Sequence, residues 1–364
     1  MRGPSASEMR CAGAAGHRLP AVRRGRYAPS PTGAIHVGNA RTALVAWLSI
    51  RRAGGCFVWR VEDLDALRVV PGLAAEQQRD LVWLGLDWDE GPERGGDFGP
   101  YQQSLRSARY VAALRRLEPR GLLFPCTRSR RELQEIASAP HGPEASPYPP
   151  SLRPRRVEPG WLEAVLAGRD DGSAVRLRVD PVEVAWEDLA VGPRRERVDR
   201  EVGDFVLRRR DGLWAYQLAV VVDDLDMAID EVVRGADLID STGRQILLFE
   251  ALGGPVPRFG HAPLMVSESG EKLSKRHASL TLAALREAGV APERLVGYLA
   301  HTLGLRDRVE PTTPRELVSD FRWEALLPGD TPVPEDLAVR LLRGDAELPR
   351  PPREGAADAA SRAR

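Results

Sequence analysis

Apolar residues recur at helical spacing in two segments near the start of the chain. Leu44, Trp47 and Leu48 predict a helix over residues 40–52, and residues 74–86 repeat the same amphipathic spacing. Between these helices, residues 56–61 form a short apolar run that is typical of a buried strand. This alternation predicts an α/β protein built on a Rossmann-like, doubly wound parallel sheet.

The alternation of predicted strands and helices is interrupted after residue 120 and resumes after residue 200. The interval contains a Pro-rich loop and short strand-like pieces such as residues 174–179, which predict an inserted α+β subdomain. A strand at 205–207, the turn Asp211-Gly212, an apolar run at 218–222 and a helix at 241–252 restore the α/β pattern. We therefore expect six parts: a disordered extension (1–21), the first half of the main domain (22–120), the insertion (121–200), the second half (201–265), a loop with a short helical region (266–342) and a disordered tail (343–364).

Overall charge does not identify a partner. The 364 residues carry 52 basic and 52 acidic side chains, so a nucleic-acid surface would have to come from local clustering. Such clusters are also explained as solvated arginines, and the sequence leaves both interpretations open. The clustered arginines are Arg128, Arg130, Arg131, Arg153, Arg155 and Arg156, and then Arg208, Arg209 and Arg210.

The compartment follows from cysteine usage and hydropathy. Cys11, Cys56 and Cys126 show no paired spacing, which favours a reducing cytoplasm over a disulfide scaffold. No apolar run reaches the ~18 residues of a membrane span, and the first 25 residues lack the apolar core of a secretory signal. We expect a cytoplasmic, monomeric protein without a membrane partner.

A histidine-containing turn precedes the first helix. His36, Gly38 and Asn39 lie where unpaired helix N–H groups and the helix dipole favour a polyphosphate anion. His36 and Asn39 can donate to phosphate oxygens, and Gly38 lets a nucleotide approach the backbone. Taken alone, the same residues also fit an ordinary structural turn.

A second basic segment lies between Gly270 and His277. It contains Lys272 and Lys275, whose ammonium groups could neutralise charge that develops on a phosphoryl group. A solvated basic loop is the alternative interpretation of this segment by itself.

Together, in this order and so far apart on an α/β chain, the two segments resemble the HIGH and KMSKS signatures of class I aminoacyl-tRNA synthetases. Further motifs resemble the glutamyl branch of that family, and the resemblance covers roughly residues 22–300. These motifs are Arg-Tyr-Ala-Pro-Ser-Pro-Thr-Gly at 26–33, Trp-Leu-Gly-Leu-Asp-Trp-Asp-Glu-Gly at 83–91, Gln-Ser at 103–104, Val-Asp-Asp at 222–224 and Val-Arg-Gly-Ala-Asp at 233–237.

The resemblance implies an enzyme that joins glutamate to AMP. It implies ATP as a substrate with Mg²⁺, and catalytic roles for His36, Lys272 and Lys275, with His36, Gly38, Asn39 and Lys275 binding ATP. It further implies that Arg26 pairs with a substrate carboxylate and that Glu62 binds the α-ammonium group. The implied glutamate-binding residues are Arg26, Ala28, Ser30, Glu62, Tyr216 and Arg234.

The chain departs from the usual glutamyl pattern in three places. Asn39 replaces the second histidine of the first signature, and Ala236 replaces an acidic residue. The segment after Lys275 is also short for an anticodon-binding region. The short final segment and Ala236 make the chain resemble the paralogous glutamyl-queuosine tRNA(Asp) synthetases, which activate glutamate without tRNA. This resemblance implies transfer to queuosine in the anticodon loop of tRNA(Asp).

The resemblance also implies a zinc site in the insertion, but its four positions read Cys126, Arg128, Tyr148 and Leu152 in this sequence. One thiol and one phenol do not make the four ligands of a structural zinc site, so we expect no bound zinc. A non-catalytic, tRNA-binding relative is the alternative function. Retention of His36, Glu62 and Lys275 argues against it.

Overall fold

The computed structural model describes residues 10–11, 22–128, 132, 148–170, 172–273 and 278–351. The strands are β1 (Arg10–Cys11), β2 (Arg24–Tyr27), β3 (Cys56–Trp59), β4 (Leu123–Cys126), β5 (Ala174–Leu177), β6 (Val184–Asp188), β7 (Gly192–Glu196), β8 (Phe205–Arg208), β9 (Glu231–Gly235), β10 (Arg258–Ala262), β11 (Met265–Ser267) and β12 (Thr331–Val333). The α-helices are α1 (Val37–Arg52), α2 (Leu73–Trp83), α3 (Ser107–Leu117), α4 (Trp161–Leu166), α5 (Val198–Glu201), α6 (Tyr216–Asp226), α7 (Thr242–Ala251), α8 (Leu282–Glu287), α9 (Pro292–Leu303), α10 (Pro314–Leu317) and α11 (Leu337–Arg343).

The central sheet has the order β1-β6-β10-β9-β2-β3, and every neighbouring pair along this path is parallel. Strand β7 joins its flank antiparallel to β6. Helix α1 connects the parallel strands β2 and β3, as a crossover between parallel neighbours requires. The predicted α/β class with a doubly wound sheet is confirmed.

Two hydrophobic cores cover the two faces of this sheet. Phe57 and Val233 point into the core formed with α1, α2 and α9, whereas Val58 and Val232 point into the core formed with α3, α6 and α7. Adjacent residues face opposite cores because side chains alternate along a strand. Helices on both faces leave the ends of the strands as the accessible edge, where ligands bind in such folds.

The predicted helices form close to their expected bounds. Helix α1 begins after His36, whose side chain accepts hydrogen bonds from the backbone N–H groups of the first turn. It ends with Arg51 and Arg52, whose positive charges are stabilised by the negative end of the helix dipole. Helix α7 matches the expected helix at 241–252. The apolar run at 218–222 lies within the buried face of α6.

The structure divides the strands around the insertion differently from the sequence-based boundaries. Strands β4, β5 and β8 form a separate antiparallel sheet, so β8 belongs with the insertion and not with the second half of the main domain. Strands β6 and β7 lie in the predicted insertion (121–200) yet pair within the central sheet. A local sequence pattern does not specify which sheet a strand joins, so these pairings could not be inferred from it.

The region after β11 packs against the main domain. Trp323 Nε1 donates to Ser49 Oγ of α1 at 3.2 Å, and Ser49 Oγ in turn donates to Glu231 Oε1 at 2.5 Å. A Cβ on Gly260 would lie 2.5 Å from the Trp323 ring, so β10 and this indole approach closely. Within the described ranges, none of the helices combines the length and apolarity that crossing a bilayer requires.

Candidate active site

The predicted glutamate residues lie where neighbouring parallel strands end. Arg26 is on β2, Glu62 follows β3 and Arg234 is on β9. These strands are neighbours in the order β9-β2-β3. The backbone of Glu62 donates to the carbonyl oxygen of Pro29 at 3.1 Å, which fixes the turn after β3 against the loop after β2.

A buried network of charges connects Arg26 with Glu62. Arg26 donates to Asp224 Oδ1 at 3.3 Å and to the carbonyl oxygen of Val233 at 3.2 Å. Arg60 donates to the same Asp224 oxygen at 2.6 Å and to Glu62 Oε1 at 3.1 Å. Asp224 therefore holds two guanidinium groups in place, and one of them also orients Glu62.

A second layer of the network lies on Asp223. Arg106 donates to Asp223 Oδ1 at 2.5 Å, while Gln103 and Tyr110 donate to Oδ2 at 2.7 Å and 3.0 Å. The two aspartates belong to the Val-Asp-Asp motif, and Gln103 belongs to the Gln-Ser motif. These motif residues are therefore internal supports of the sheet edge.

The two carboxylates nearest Arg26 differ in how well they are compensated. At Asp224, burial opposes ionisation, but Arg26 and Arg60 outweigh it and hold the pKa below its usual value. At Glu62, burial prevails over the opposing effect of Arg60 and raises the pKa. Glu62 is thus a carboxylate that a further positive group would stabilise.

Arg234 shows the opposite imbalance. Its guanidinium donates to three neutral acceptors, and no described carboxylate lies within salt-bridge distance of it. Burial lowers the pKa of Arg234, although Tyr216 partly counteracts this effect. The three acceptors are His261 Nε2 at 3.0 Å, Gln245 Oε1 at 2.6 Å and Thr242 Oγ1 at 2.9 Å.

The remaining predicted glutamate residues border the same edge. Tyr216 begins α6 and interacts with Arg234. Ala28 is half-buried and Ser30 is exposed in the loop after β2. The carbonyl oxygen of Ser30 accepts a hydrogen bond from Gln77 at 3.2 Å, which ties the loop to α2.

The predicted nucleotide turn lies at the start of α1. His36 Nδ1 accepts from the backbone N–H of Gly38 at 3.1 Å and of Asn39 at 3.3 Å, so a neutral His36 carries its proton on Nε2. A Cβ on Gly38 would lie 3.0 Å from the His36 ring, which is closer than an ordinary van der Waals contact. Asn39 is exposed.

Lys272, in the second basic segment, reaches the same edge. Strand β11 leads into it, and the Lys272 ammonium forms an ion pair with Asp237 of the Val-Arg-Gly-Ala-Asp motif. This contact joins two motifs that are 35 residues apart in the sequence. Lys275 lies outside the described residues.

Comparisons with known proteins agree with this geometry. Residues 22–324 match the family described as tRNA synthetases class I (E and Q), catalytic domain.

The chain belongs to the class I glutamyl and glutaminyl synthetase family.

The chain resembles curated members of this synthetase family over most of its length. It is 49% identical over 326 residues to the glutamyl-Q tRNA(Asp) synthetase of Symbiobacterium thermophilum, covering 88% of this chain and 99% of that relative. It is 44% identical over 322 residues to the enzyme of the same name from Nitratidesulfovibrio vulgaris, covering 88% and 98%. The predicted family and ligase class are confirmed.

A solved synthetase structure shares the fold. The crystal structure of a glutamate tRNA ligase from Elizabethkingia meningosepticum, in complex with its amino acid, superimposes with a TM-score of 0.75 at 28% identity. The match covers 88% of this chain and 68% of the ligase. The ligase thus contains a substantial region without a counterpart in the match.

The positions at which the resemblance led us to expect a degenerate zinc site pack against one another. Tyr148 accepts a weak hydrogen bond from Cys126 Sγ at 3.7 Å and donates to the carbonyl oxygen of Leu152 at 3.2 Å. Arg176 lies 4.4 Å above the Tyr148 ring, while the Arg128 side chain is about half exposed. In the described part of the chain, no group of three His, Cys, Asp or Glu side chains could hold a metal ion.

Elemental analysis of the purified protein should show no stoichiometric zinc. The reason is that Cys126 and Tyr148 supply fewer than the four ligands of a tetrahedral structural site. Chelator treatment should then leave the thermal unfolding midpoint unchanged, with a zinc-containing synthetase of the family as a positive control. One equivalent of zinc, removed together with stability, would contradict the prediction.

Several residues of the candidate site were not predicted from the sequence. Arg60 orients Glu62, and Asp188 and His261 support Arg234. Arg60 gives a usable signal because a charged residue inside an apolar strand-like run requires a buried partner. Asp188 and His261 give a weaker signal, since their partners lie on strands far away in the sequence.

Proposed function

We propose that this protein activates glutamate with ATP, without needing tRNA, and transfers the glutamyl group to queuosine in the anticodon loop of tRNA(Asp). The observation that carries the proposal is a pair of buried, under-compensated charges at one sheet edge. Glu62 shares its positive partner Arg60 with Asp224, and burial still raises its pKa; Arg234 has no direct carboxylate partner among the described residues. An amino acid offers both missing charges.

The charge pattern favours glutamate among amino acids. We propose that Glu62 binds the α-ammonium group and that Arg234, with Tyr216, binds one carboxylate. Arg26 then binds the other carboxylate, and Ala28 and Ser30 line the pocket. Arg26 keeps donor capacity beyond its bonds to Asp224 and Val233 because a guanidinium has five N–H groups.

We propose a direct displacement for the activation step. An oxygen of the glutamate α-carboxylate attacks the α-phosphorus of ATP, the bond to the bridging oxygen breaks, and pyrophosphate leaves. His36, Gly38 and Asn39 hold the nucleotide, while Lys272 and Lys275 neutralise charge on the phosphates. Mg²⁺ would be carried by the phosphates and water, as is usual for nucleotide sites.

In the second step, a hydroxyl of the queuosine cyclopentenediol attacks the glutamyl carbonyl carbon. AMP leaves with the bonding electron pair, and the hydroxyl proton is lost to solvent. The relatives named glutamyl-Q tRNA(Asp) synthetase, matched over nearly their whole length, support this acceptor. We further propose that the enzyme works in the cytoplasm as a monomer.

The purified protein should catalyse exchange of labelled pyrophosphate into ATP with glutamate and without tRNA. Lys275→Ala should lower kcat with little effect on the KM for glutamate, because its ammonium acts on phosphate. Arg26→Ala should mainly raise that KM. Glutamine serves as the control substrate, since it lacks the second carboxylate.

The acceptor is tested with labelled glutamate, ATP and total tRNA from cells that make queuosine and from cells that do not. Label on the anticodon loop only in the first sample is expected. Label at the 3′ end would show an ordinary tRNA ligase. Tight tRNA binding without pyrophosphate exchange would favour the non-catalytic alternative.

A further inference from the structure

A buried chain of three side chains lies behind the candidate pocket. It runs from Asp188 on β6 through His261 on β10 to Arg234 on β9, across three neighbouring parallel strands. Asp188 Oδ2 lies 2.5 Å from His261 Nδ1, and Arg234 Nε donates to His261 Nε2 at 3.0 Å. All three residues are at most 5% exposed.

Arg234 determines which nitrogen of His261 carries the proton. Arg234 is a donor only, so His261 Nε2 must accept, and the single proton of a neutral imidazole lies on Nδ1. Asp188 accepts that proton's hydrogen bond with Oδ2. Its other oxygen, Oδ1, accepts from the backbone N–H of His261 at 3.2 Å and of Ala190 at 3.0 Å, which holds the carboxylate in place.

Placing an imidazole between the two charges changes what Arg234 can bind. A carboxylate in direct contact would compensate the guanidinium, as Asp224 does for Arg26. With His261 interposed, the carboxylate is one ring farther away, and Coulomb attraction weakens with that distance. The Nε edge of Arg234 is nevertheless anchored, so its charge remains available to a bound anion.

We propose that Asp188 and His261 are positioning residues that hold Arg234 for the substrate carboxylate and set the affinity for glutamate. This inference rests on the proposed function, because it takes glutamate as the ligand of Arg234. Neither residue touches the reacting atoms in this scheme. Their loss should therefore change the KM for glutamate much more than kcat or the KM for ATP.

The test compares His261→Leu, His261→Gln and Asp188→Asn in glutamate-dependent pyrophosphate exchange. His261→Leu removes the acceptor for Arg234 and should raise the KM for glutamate about 10- to 100-fold. His261→Gln retains an amide donor and acceptor and should recover most of that loss. Asp188→Asn weakens control of the histidine tautomer and should lie between them.

A matched control comes from another buried histidine. His301 on α9 is buried, and a ring nitrogen lies 3.0 Å from the carbonyl oxygen of Leu348, whose side chain belongs to the core formed with α1, α2 and α9. His301→Leu should leave the KM for glutamate unchanged, even if the variant unfolds at a lower free energy than the unaltered protein. An equal rise in this KM for His301→Leu and His261→Leu would overturn the proposal.

A spectroscopic measurement does not depend on any variant being active. Nitrogen NMR of the ¹⁵N-histidine-labelled protein, with His261→Gln to assign the signal, should show His261 neutral with its proton on Nδ1 at pH 7. A proton on Nε2 would contradict the proposed arrangement.

The two hypotheses fail in different ways. If the unaltered protein neither binds glutamate in calorimetry nor exchanges pyrophosphate with it, the proposed function is wrong and the inference falls with it. If the unaltered protein binds glutamate and exchanges pyrophosphate with it, but His261→Leu has the same KM for glutamate, only the inference about Asp188 and His261 is wrong.

Discussion

Asp224→Asn should destabilise the protein by about 3–5 kcal/mol and abolish glutamate binding. Asp224 is the carboxylate shared by Arg26 and Arg60, and all three side chains are almost fully buried. The substitution leaves two buried guanidinium groups close together without the anion that separates them. Because Arg60 also orients Glu62, the disturbance extends to the proposed ammonium site.

Urea unfolding gives the loss of stability, and calorimetry gives glutamate binding. Asp226→Asn is the matched control because Asp226 lies two residues farther along α6 and pairs with Arg106 and Arg109 at a partly exposed position. Partly exposed ion pairs contribute about 0–1 kcal/mol, so this variant should stay near the unaltered protein. Equal losses in the two variants would show that Asp224 has no special role.

Arg234→Lys should lower kcat/KM for glutamate about 100-fold or more while the KM for ATP changes little. A lysine keeps the charge but lacks the planar fork that reaches His261, Gln245 and Thr242 together. Those acceptors then lose their partner, and the ammonium is not held for a bidentate contact with a carboxylate.

Initial rates of pyrophosphate exchange at varied glutamate and varied ATP separate the two effects. Arg258→Lys is the matched control, since Arg258 lies on the adjacent strand and pairs with Glu231 with about half of its side chain exposed. Its kinetic constants should remain close to those of the unaltered protein. A similar decrease for both arginine variants would remove the distinction between a pocket residue and a surface residue.

Local sequence patterns predict helices well here because burial of one helical face requires apolar residues at a regular spacing within a short segment. Helices α1 and α7 are examples. Strand partners leave no such pattern. For that reason the sequence did not show that β8 pairs with β5, or that β6 and β7 pair within the central sheet.

In the candidate site, too, some residues follow from the sequence and others do not. The motifs lead to Arg26, Glu62 and Arg234, and the structure gathers these residues at one sheet edge. The supporting contacts were not predictable. Arg60 and Asp224 are separated by 164 positions, and His261 and Asp188 by 73, so only the folded topology brings each pair together.

The packing of α1 has a consequence for synthesis of the protein. Arg41 donates to Thr331, 290 positions away, and Trp323 donates to Ser49, 274 positions away. At ribosomal rates of about 5–20 residues per second, the first helix would wait roughly 15–60 s for these partners to be made. During that interval the part of α1 that these late residues cover stays accessible to chaperones or to other nascent chains.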